Sequence, residues 1–294
     1  MSDVIDRLRL LQRQSGRCAE AASRVDTGAD NVAAHGNVVS NIRADLRRLL
    51  ARRERHALRT LIAPAGVQLA PGLYQVERRW PSDLCGSVRL PSPGASDVQR
   101  ERLVCFDTET TGLAGGVGTK AFMIGAAYWR GAELIVMQWY LTALAGEAPM
   151  LHAFADCLPP DAIFVSYNGR SYDTPLLKGR YRMHRQPSPF DERLHVDLLH
   201  PVRRAYRGVW ENCRLQTIER RLLGIVREND LPGSEAPAAW LAFLRGQSST
   251  QLARVIEHNR QDLLTLTLLL DRMAAPSEPV PEQSACYVEE EPRR

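Results

Sequence analysis

The sequence predicts an α/β fold in which helices cover both faces of a mixed five-stranded sheet. Short apolar runs rich in β-branched and aromatic residues alternate with helix-like stretches between residues 100 and 273. The first three runs follow one another with short connections, which is typical of an antiparallel meander. The later runs are separated by helices, which is typical of parallel strands.

Each element has its own local signal. The turn RGAE separates two long apolar runs, and the run AIFVSYN is apolar almost throughout, as expected of a strand in a covered sheet. Ser and Thr residues at the start of the last helix can cap it. Strands are predicted at 102–106, in both halves of 120–141, at 162–168 and at 193–199, and helices at 148–158, 171–182 and 248–273.

Shifts in composition divide the chain into four segments. Residues 1–62 are predicted to form a helical, basic N-terminal extension, residues 63–99 an irregular connector rich in Pro and Gly, residues 100–273 the α/β domain, and residues 274–294 a disordered tail. The extension is either a nucleic-acid arm or a helix with a solvated or partner-binding face. The sequence does not identify its protein partners.

The overall composition argues against a membrane protein and favours the cytoplasm. No apolar run approaches the ~20 residues of a bilayer-spanning helix, and the six cysteines are scattered, which indicates a reducing compartment. The net charge is only +4, but all but two of the 38 basic residues are arginine. Arginine suits bidentate phosphate contacts, although a GC-rich coding sequence explains the bias equally well.

The segment FDTETTGL contains the first candidate site. Asp107 and Glu109 are two residues apart at the end of a predicted strand, so both side chains point to the same face. Two carboxylates this close raise each other's pKa unless a cation lies between them. Because Mg²⁺ and Mn²⁺ prefer oxygen ligands, the pair favours a divalent metal site.

Two further segments contain acidic residues in suggestive positions. Asp173 falls in the first turn of a predicted helix, after the strand that ends at Asn168, where it could also simply complement the helix dipole. His258 and Asp262 are four residues apart and share a helix face, as a surface pair would. The functional interpretation makes Asp262 a metal ligand and His258 the base that deprotonates the attacking water, since an imidazole titrates near neutral pH.

Together these motifs resemble a known family. DTETTGL, YNGRSYD and HNRQD, joined by HVDLLHPVRR and LQTIERRLLGI, are similar to the motifs of the DEDD, or DnaQ-like, 3′–5′ exonucleases, and in particular to the YprB-like ribonuclease H-like domain. The resemblance covers residues 100–273. It implies a ribonuclease H-like fold, two divalent cations (Mg²⁺ or Mn²⁺), and nucleic acid with single-stranded ends as the substrate.

The resemblance also implies a role for each acidic residue. Asp107 would bridge the two ions, Glu109 and Asp262 would hold the ion that activates water, and Asp173 would support the other ion, mainly through water. His258 would be the general base. It stands four residues before Asp262, which is the spacing of the family's tyrosine branch, whereas the histidine branch has five.

The substrate would contact the ends of the same elements. In the resembled family the first motif positions the terminal nucleotide, and glycine there allows the backbone to approach closely. The expected contacts are Thr110, Gly112, Leu113 and Asn168.

Other polar residues near these motifs have two interpretations each. Asp197 either adds a ligand or, more commonly, caps the helix that follows. Arg203, Arg204 and Arg207 either bind phosphates or form a solvated helix face.

The fold would also serve a structure-specific endonuclease or a non-catalytic nucleic-acid-binding scaffold. Four mutually repelling carboxylates argue against the scaffold.

Overall fold

The computed structural model describes residues 66–82, 84, 86–91, 96–112, 118–228 and 230–274. The helical extension predicted at 1–62 lies outside these residues, as does the predicted tail apart from Ala274. The strands are β1 Val67–Ala70, β2 Leu73–Pro81, β3 Ser87–Arg89, β4 Asp97–Gln99, β5 Leu103–Thr110, β6 Ala121–Arg130, β7 Glu133–Leu141, β8 Ile163–Ser166 and β9 His195–Asp197. The helices are α1 Glu147–Asp156, α2 Asp173–Met183, α3 Leu199–Tyr206, α4 Leu215–Ile218, α5 Ala236–Leu244 and α6 Thr250–Ala274, and a π-helical turn, Glu219–Leu223, continues α4.

The main sheet contains seven strands in the order β1-β2-β7-β6-β5-β8-β9. β6 pairs antiparallel with both β5 and β7, which confirms the predicted meander. β8 pairs parallel with β5 and with β9, so the sheet is mixed, as predicted. β3 and β4 form a separate two-stranded sheet.

The prediction of five strands was wrong because part of the predicted connector joins the sheet. β1 and β2 lie within residues 63–99, and β2 pairs antiparallel with β7 over its full length. The Pro and Gly residues that suggested an irregular chain lie at the ends of β2: Gly72 turns the chain with φ of 82°, and Pro81 is the last residue of the strand. The division of the chain into four segments otherwise stays a prediction.

Helices cover both faces of the sheet, as predicted. Along β5 the side chains alternate: Val104 and Phe106 pack into one apolar cluster with α1, α2 and α5, while Leu103 and Cys105 pack into another with α3, α4 and the second half of α6. Each large apolar side chain buried in this way contributes about 1.5–3 kcal/mol to folding. The strand is therefore a firmly held base for the acidic residues at its end.

The long helix α6 approaches the sheet closely at Gly125. A Cβ atom at this position would overlap Asn259 Oδ1 and would lie 2.7 Å from Leu263 Cδ1. Gly125 is the residue of β6 that pairs with Asp107 of β5. Its lack of a side chain lets α6 bring Asn259 against Asp107, where Nδ2 donates to Oδ2 over 2.9 Å.

Candidate active site

The four predicted carboxylates come together where β5 ends. Asp107 and Glu109 lie on one face of β5, Asp173 is the first residue of α2, and Asp262 lies midway along α6. Burial raises the pKa of Asp107, and the charges of the other three carboxylates raise it further. Burial, Asp262 and Asp173 likewise raise the pKa of Glu109. These four side chains are called the carboxylate cluster below.

Protein donors hold the members of the cluster in place. The hydroxyl of Thr108 donates to Asp173 Oδ1. Burial nevertheless raises the pKa of Asp173 to about 6, because that bond and the backbone contacts offset the desolvation only in part. The turn after β8 is close by, since a Cβ on Gly169 would lie 3.0 Å from Asp173 Oδ2. Burial also raises the pKa of Asp262, although His258 and Arg227 oppose the rise.

Arg227, which sequence reasoning missed, lies against this cluster. Its guanidinium donates to Glu219 Oε2 over 2.7 Å, to Asp230 Oδ2 over 3.2 Å, and to Asp262 Oδ1. Burial disfavours the charge, but the carboxylate partners outweigh it and raise the pKa of Arg227, so the side chain stays protonated. Its charge partly offsets the rise in the pKa of Glu109.

His258 is almost buried and is held by a second residue that the sequence did not reveal, Asp230. The His258 Nδ1 atom lies 2.7 Å from Asp230 Oδ1. Since a carboxylate only accepts hydrogen bonds, a proton on Nδ1 satisfies this contact, while Arg227 Nη1 also lies 3.2 Å from Nδ1. Nε2 lies 3.6 Å from Asp262 Oδ2, beyond hydrogen-bonding distance. The four-residue spacing on α6 therefore places Nε2 beside the cluster.

Arg227 and Asp230 left no recognisable signal in the sequence. They lie in the charged segment VREND, outside the helices and strands, where no periodic pattern indicates which way a side chain points. Glu219, a partner of Arg227 that is 1% exposed, belongs to the segment LQTIERRLLGI, but its contact with Arg227 becomes evident only in the structure.

The donor set of the cluster suits hard divalent cations. All four residues offer oxygen atoms, and burial is the main cause that raises their pKa values, which a bound cation would lower again. In the described ranges, no three His, Cys, Asp or Glu side chains are arranged to hold a metal ion as they stand. Asn259, Thr108 and Arg227 each occupy one carboxylate oxygen that such an ion would use. Ligation by these residues stays a prediction.

The predicted substrate contacts lie beside the cluster where they are described. The Thr110 hydroxyl donates to the Gly112 carbonyl over 3.2 Å, and a Cβ built on Gly112 would meet no atom of the described residues within 4 Å. Leu113 lies outside the described residues. Asn168 follows β8 with φ of 66°, and its backbone N–H donates to Asp197 Oδ1 over 2.7 Å.

Asp197 holds a turn rather than facing the cluster directly. Its oxygens also accept the backbone N–H of Arg170 over 3.1 Å and that of Leu199, at the start of α3, over 3.1 Å. It therefore precedes the N-cap, Leu198, accepts the N–H of the first residue of α3, and fixes the loop that leads to Asp173. Its charge adds to the rise in the pKa of Asp173.

The fold and the acidic site define the class of protein. Residues 104–274 match the profile of a family described as the RNase_H superfamily, which is more than half of the 294-residue chain. The chain belongs to the RNase_H superfamily, and the predicted ribonuclease H-like fold is confirmed.

Comparison with individual proteins adds one relative and one solved structure. The chain is 34% identical over 181 residues to the uncharacterized protein YprB of Bacillus subtilis (strain 168), an alignment that covers 61% of this chain and 44% of YprB. It therefore spans less than half the length of that relative. The product-bound structure of exonuclease I at 1.5 Å resolution aligns with 57% of this chain and 49% of its own, at 15% identity and a TM-score of 0.35. That overlap is too small to indicate a shared function.

Among the described residues, none of the helices has the length and apolar character required to cross a membrane.

Proposed function

We propose that this protein is a metal-dependent nuclease that hydrolyses phosphodiester bonds, and more specifically a 3′–5′ exonuclease acting on single-stranded DNA or RNA ends. The observation that carries the proposal is the carboxylate cluster. Burial raises the pKa of all four acids, and the neighbouring carboxylates raise those of Asp107 and Glu109 further, an arrangement that costs stability unless it serves binding or catalysis.

In this proposal Asp107, Glu109, Asp173 and Asp262 bind two divalent cations, Mg²⁺ or Mn²⁺, and Asp107 and Glu109 are also catalytic. Two bound cations supply stabilisation of the charge that develops on the attacking and departing oxygens. The carboxylates would have to be ionised to hold the cations, and the positive charge of the cations would offset the repulsion between them.

His258 is proposed as the general base. In this role its Nε2 atom takes the proton of the attacking water, while Asp230, whose Oδ1 lies 2.7 Å from Nδ1, accepts the Nδ1 proton and stabilises the imidazolium that forms. Asp230 acts only through His258 and is therefore a positioning residue. The contact with Asp230 supports His258 as the base in spite of the four-residue spacing to Asp262.

Thr110, Gly112, Leu113 and Asn168 are proposed to contact the terminal nucleotide, and the cytoplasm stays the predicted location. The choice between DNA and RNA depends on contacts with the 2′-hydroxyl. A structure-specific endonuclease uses the same metal chemistry, and a scaffold uses the same fold without cleavage.

An activity screen tests the proposal directly. Single- and double-stranded DNA and RNA, labelled at the 5′ or the 3′ end, are incubated with the full chain in Mg²⁺ or Mn²⁺. An exonuclease releases mononucleotides from the 3′ end and spares circular strands. Cleavage of circles would make the protein an endonuclease, and no cleavage of any substrate under either metal would overturn the proposal in favour of a scaffold.

A further inference from the structure

A cavity of about 690 Å³ lies beside the carboxylate cluster and is not used by the proposed catalytic residues. Asn168 links the two sites, because it lines the cavity while the next residue, Gly169, packs against Asp173. The lining includes Tyr167, Asn168, Arg203, Arg207, Trp210 and Arg214. This space is called the arginine pocket below.

The wall between the pocket and the cluster is held rigidly. Asp197, which is 5% exposed, accepts the backbone N–H groups of Asn168 and Arg170. On the opposite side the Tyr167 hydroxyl donates to the Cys213 carbonyl over 2.6 Å. A pocket whose walls are fixed in advance loses less entropy when a ligand binds.

The charge of the pocket indicates an anionic ligand. Arg203, Arg207 and Arg214 are exposed, and in the part of the chain that the structure describes none of them has a salt-bridge partner. The acid in the lining, Glu211, lies within 3.5 Å of Arg221 and also pairs with Arg220. The three guanidinium groups are therefore available to phosphate groups, which they bind in bidentate geometry.

An aromatic surface accompanies these charges. The Trp210 ring stacks on Tyr206 with ring centres 4.2 Å apart and planes 12° apart, which holds the indole at the pocket wall. Arginines that follow a backbone together with an aromatic ring that accepts a base are the combination that binds single-stranded nucleic acid. An isolated phosphate-containing metabolite would not need a pocket continuous with the loop that borders the cluster.

We propose that the arginine pocket binds a nucleotide of the single-stranded substrate away from the cleaved end, its phosphate contacted by Arg203, Arg207 and Arg214 and its base stacked on Trp210. This inference rests on the proposed nuclease function and names a substrate subsite for it. The subsite holds the strand in register, so that the end reaches the carboxylate cluster.

Binding without cleavage tests the subsite. Fluorescein-labelled 12-nucleotide DNA and RNA strands are titrated with the full chain in EDTA, and anisotropy is followed over a range of salt concentrations. Arg203→Ala is expected to weaken binding about tenfold and to reduce the slope of log affinity against log salt by about 0.7, the value for one lost contact with a single strand.

The matched control is Arg204→Ala. Arg204 is the next residue of α3, is equally exposed and carries the same charge, but it does not line the pocket. A general effect of net charge would appear in both variants, whereas a phosphate contact in the pocket appears only in the first. Arg203→Ala/Arg207→Ala is expected to double the change in slope.

Tryptophan fluorescence reports the stacked base. Strand binding is expected to quench the emission of the wild type, and Trp210→Phe is expected to abolish the quenched component. Trp80→Phe is the control, because Trp80 is also partly exposed but lies on β2 outside the pocket.

The outcomes separate the two proposals. Equal affinities and slopes for Arg203→Ala and Arg204→Ala would overturn the subsite and leave the nuclease proposal intact. Weaker binding by Arg203→Ala together with no cleavage under any metal would support the subsite and overturn the nuclease. If the wild type bound neither DNA nor RNA, both proposals would fall.

Discussion

Glu147 and the carboxylate cluster lie in opposite electrostatic surroundings. Glu147, the first residue of α1, is enclosed by Arg180, whose Nε lies 2.5 Å away, and by Lys120 at 3.1 Å. Burial alone would raise the pKa of Glu147, but its hydrogen bonds to Arg180 and Lys120 lower it. In the carboxylate cluster burial and mutual repulsion act together, and the pKa values rise.

The difference lies in the partners that the protein itself supplies. Arg180 and Lys120 compensate Glu147, whereas Arg227 only in part opposes the rise in the pKa of Glu109 and of Asp262. Under the proposed function the cluster binds cations from solution instead. Four tests would break or sharpen this comparison.

The largest effect is expected for Asp107→Asn. Loss of one ligand should lower the cleavage rate at least about a thousandfold, or about 4 kcal/mol in transition-state stabilisation. Stability should not fall, because the change removes a buried charge from a repulsive group while the amide can still accept the hydrogen bond from Asn259. Single-turnover kinetics and thermal unfolding in EDTA measure the two quantities, and full activity of this variant would show that the metal site is assigned wrongly.

Glu147→Gln, in contrast to Asp107→Asn, should lower the stability of the protein. Removing the charge opposite the buried Arg180 should lower the free energy of unfolding by about 3 kcal/mol, the scale for breaking a buried ion pair. Urea denaturation measures it. Glu133→Gln, which breaks an exposed pair with Arg79, is the matched control and should cause no measurable change. A stable Glu147→Gln protein would remove the distinction between the two groups.

Asp230 adjoins the cluster but resembles Glu147 in its electrostatics. Burial would raise its pKa, yet the hydrogen bond to His258 and the charge of Arg227 lower it. As the proposed general base, His258 should matter more than Asp230, which only positions it. His258→Ala should slow cleavage about a hundredfold and Asp230→Asn about tenfold, and the Mg²⁺ affinity should be unchanged in both variants. Cleavage kinetics and Mg²⁺ titration together test these roles. An unchanged cleavage rate for His258→Ala would exclude His258 as the base. Weaker Mg²⁺ binding by Asp230→Asn would make Asp230 a metal ligand.

The smallest effect expected is a pH dependence of stability in EDTA. The pKa of Asp173 is about 6 in the folded protein against 3.8 as the ordinary value, so the folded state binds its proton more tightly than the unfolded state does. The stability that this carboxyl contributes is therefore present at low pH and is lost as the pH rises from about 4 to about 6. The difference in unfolding free energy between wild type and Asp173→Asn should change over that range. A constant difference would mean that burial does not raise the pKa of Asp173 in the folded protein.

The regular spacing of side chains along strands and helices accounts for the parts of the fold and of the candidate site that the sequence predicted. Alternation along β5 placed Asp107 and Glu109 on one face, and the helical repeat placed His258 above Asp262 on α6. Neither pattern contained information on the strands of the predicted connector, because Pro and Gly at the ends of β2 obscured the pairing with β7. That pairing joins residues far apart in the chain.

The sequence by itself determined the fold class and the meander, and it placed Asp107 with Glu109 and His258 with Asp262, because each of these depends on a repeat of two or 3.6 residues that is present in consecutive residues. Only the tertiary structure decided which groups surround those acids. Arg227 and Asp230 come from an irregular segment, Gly125 matters through a helix that packs over it, and the arginine pocket forms where a helix, a strand end and a loop meet. Contacts of this kind depend on how distant parts of the chain pack, and no local pattern records them.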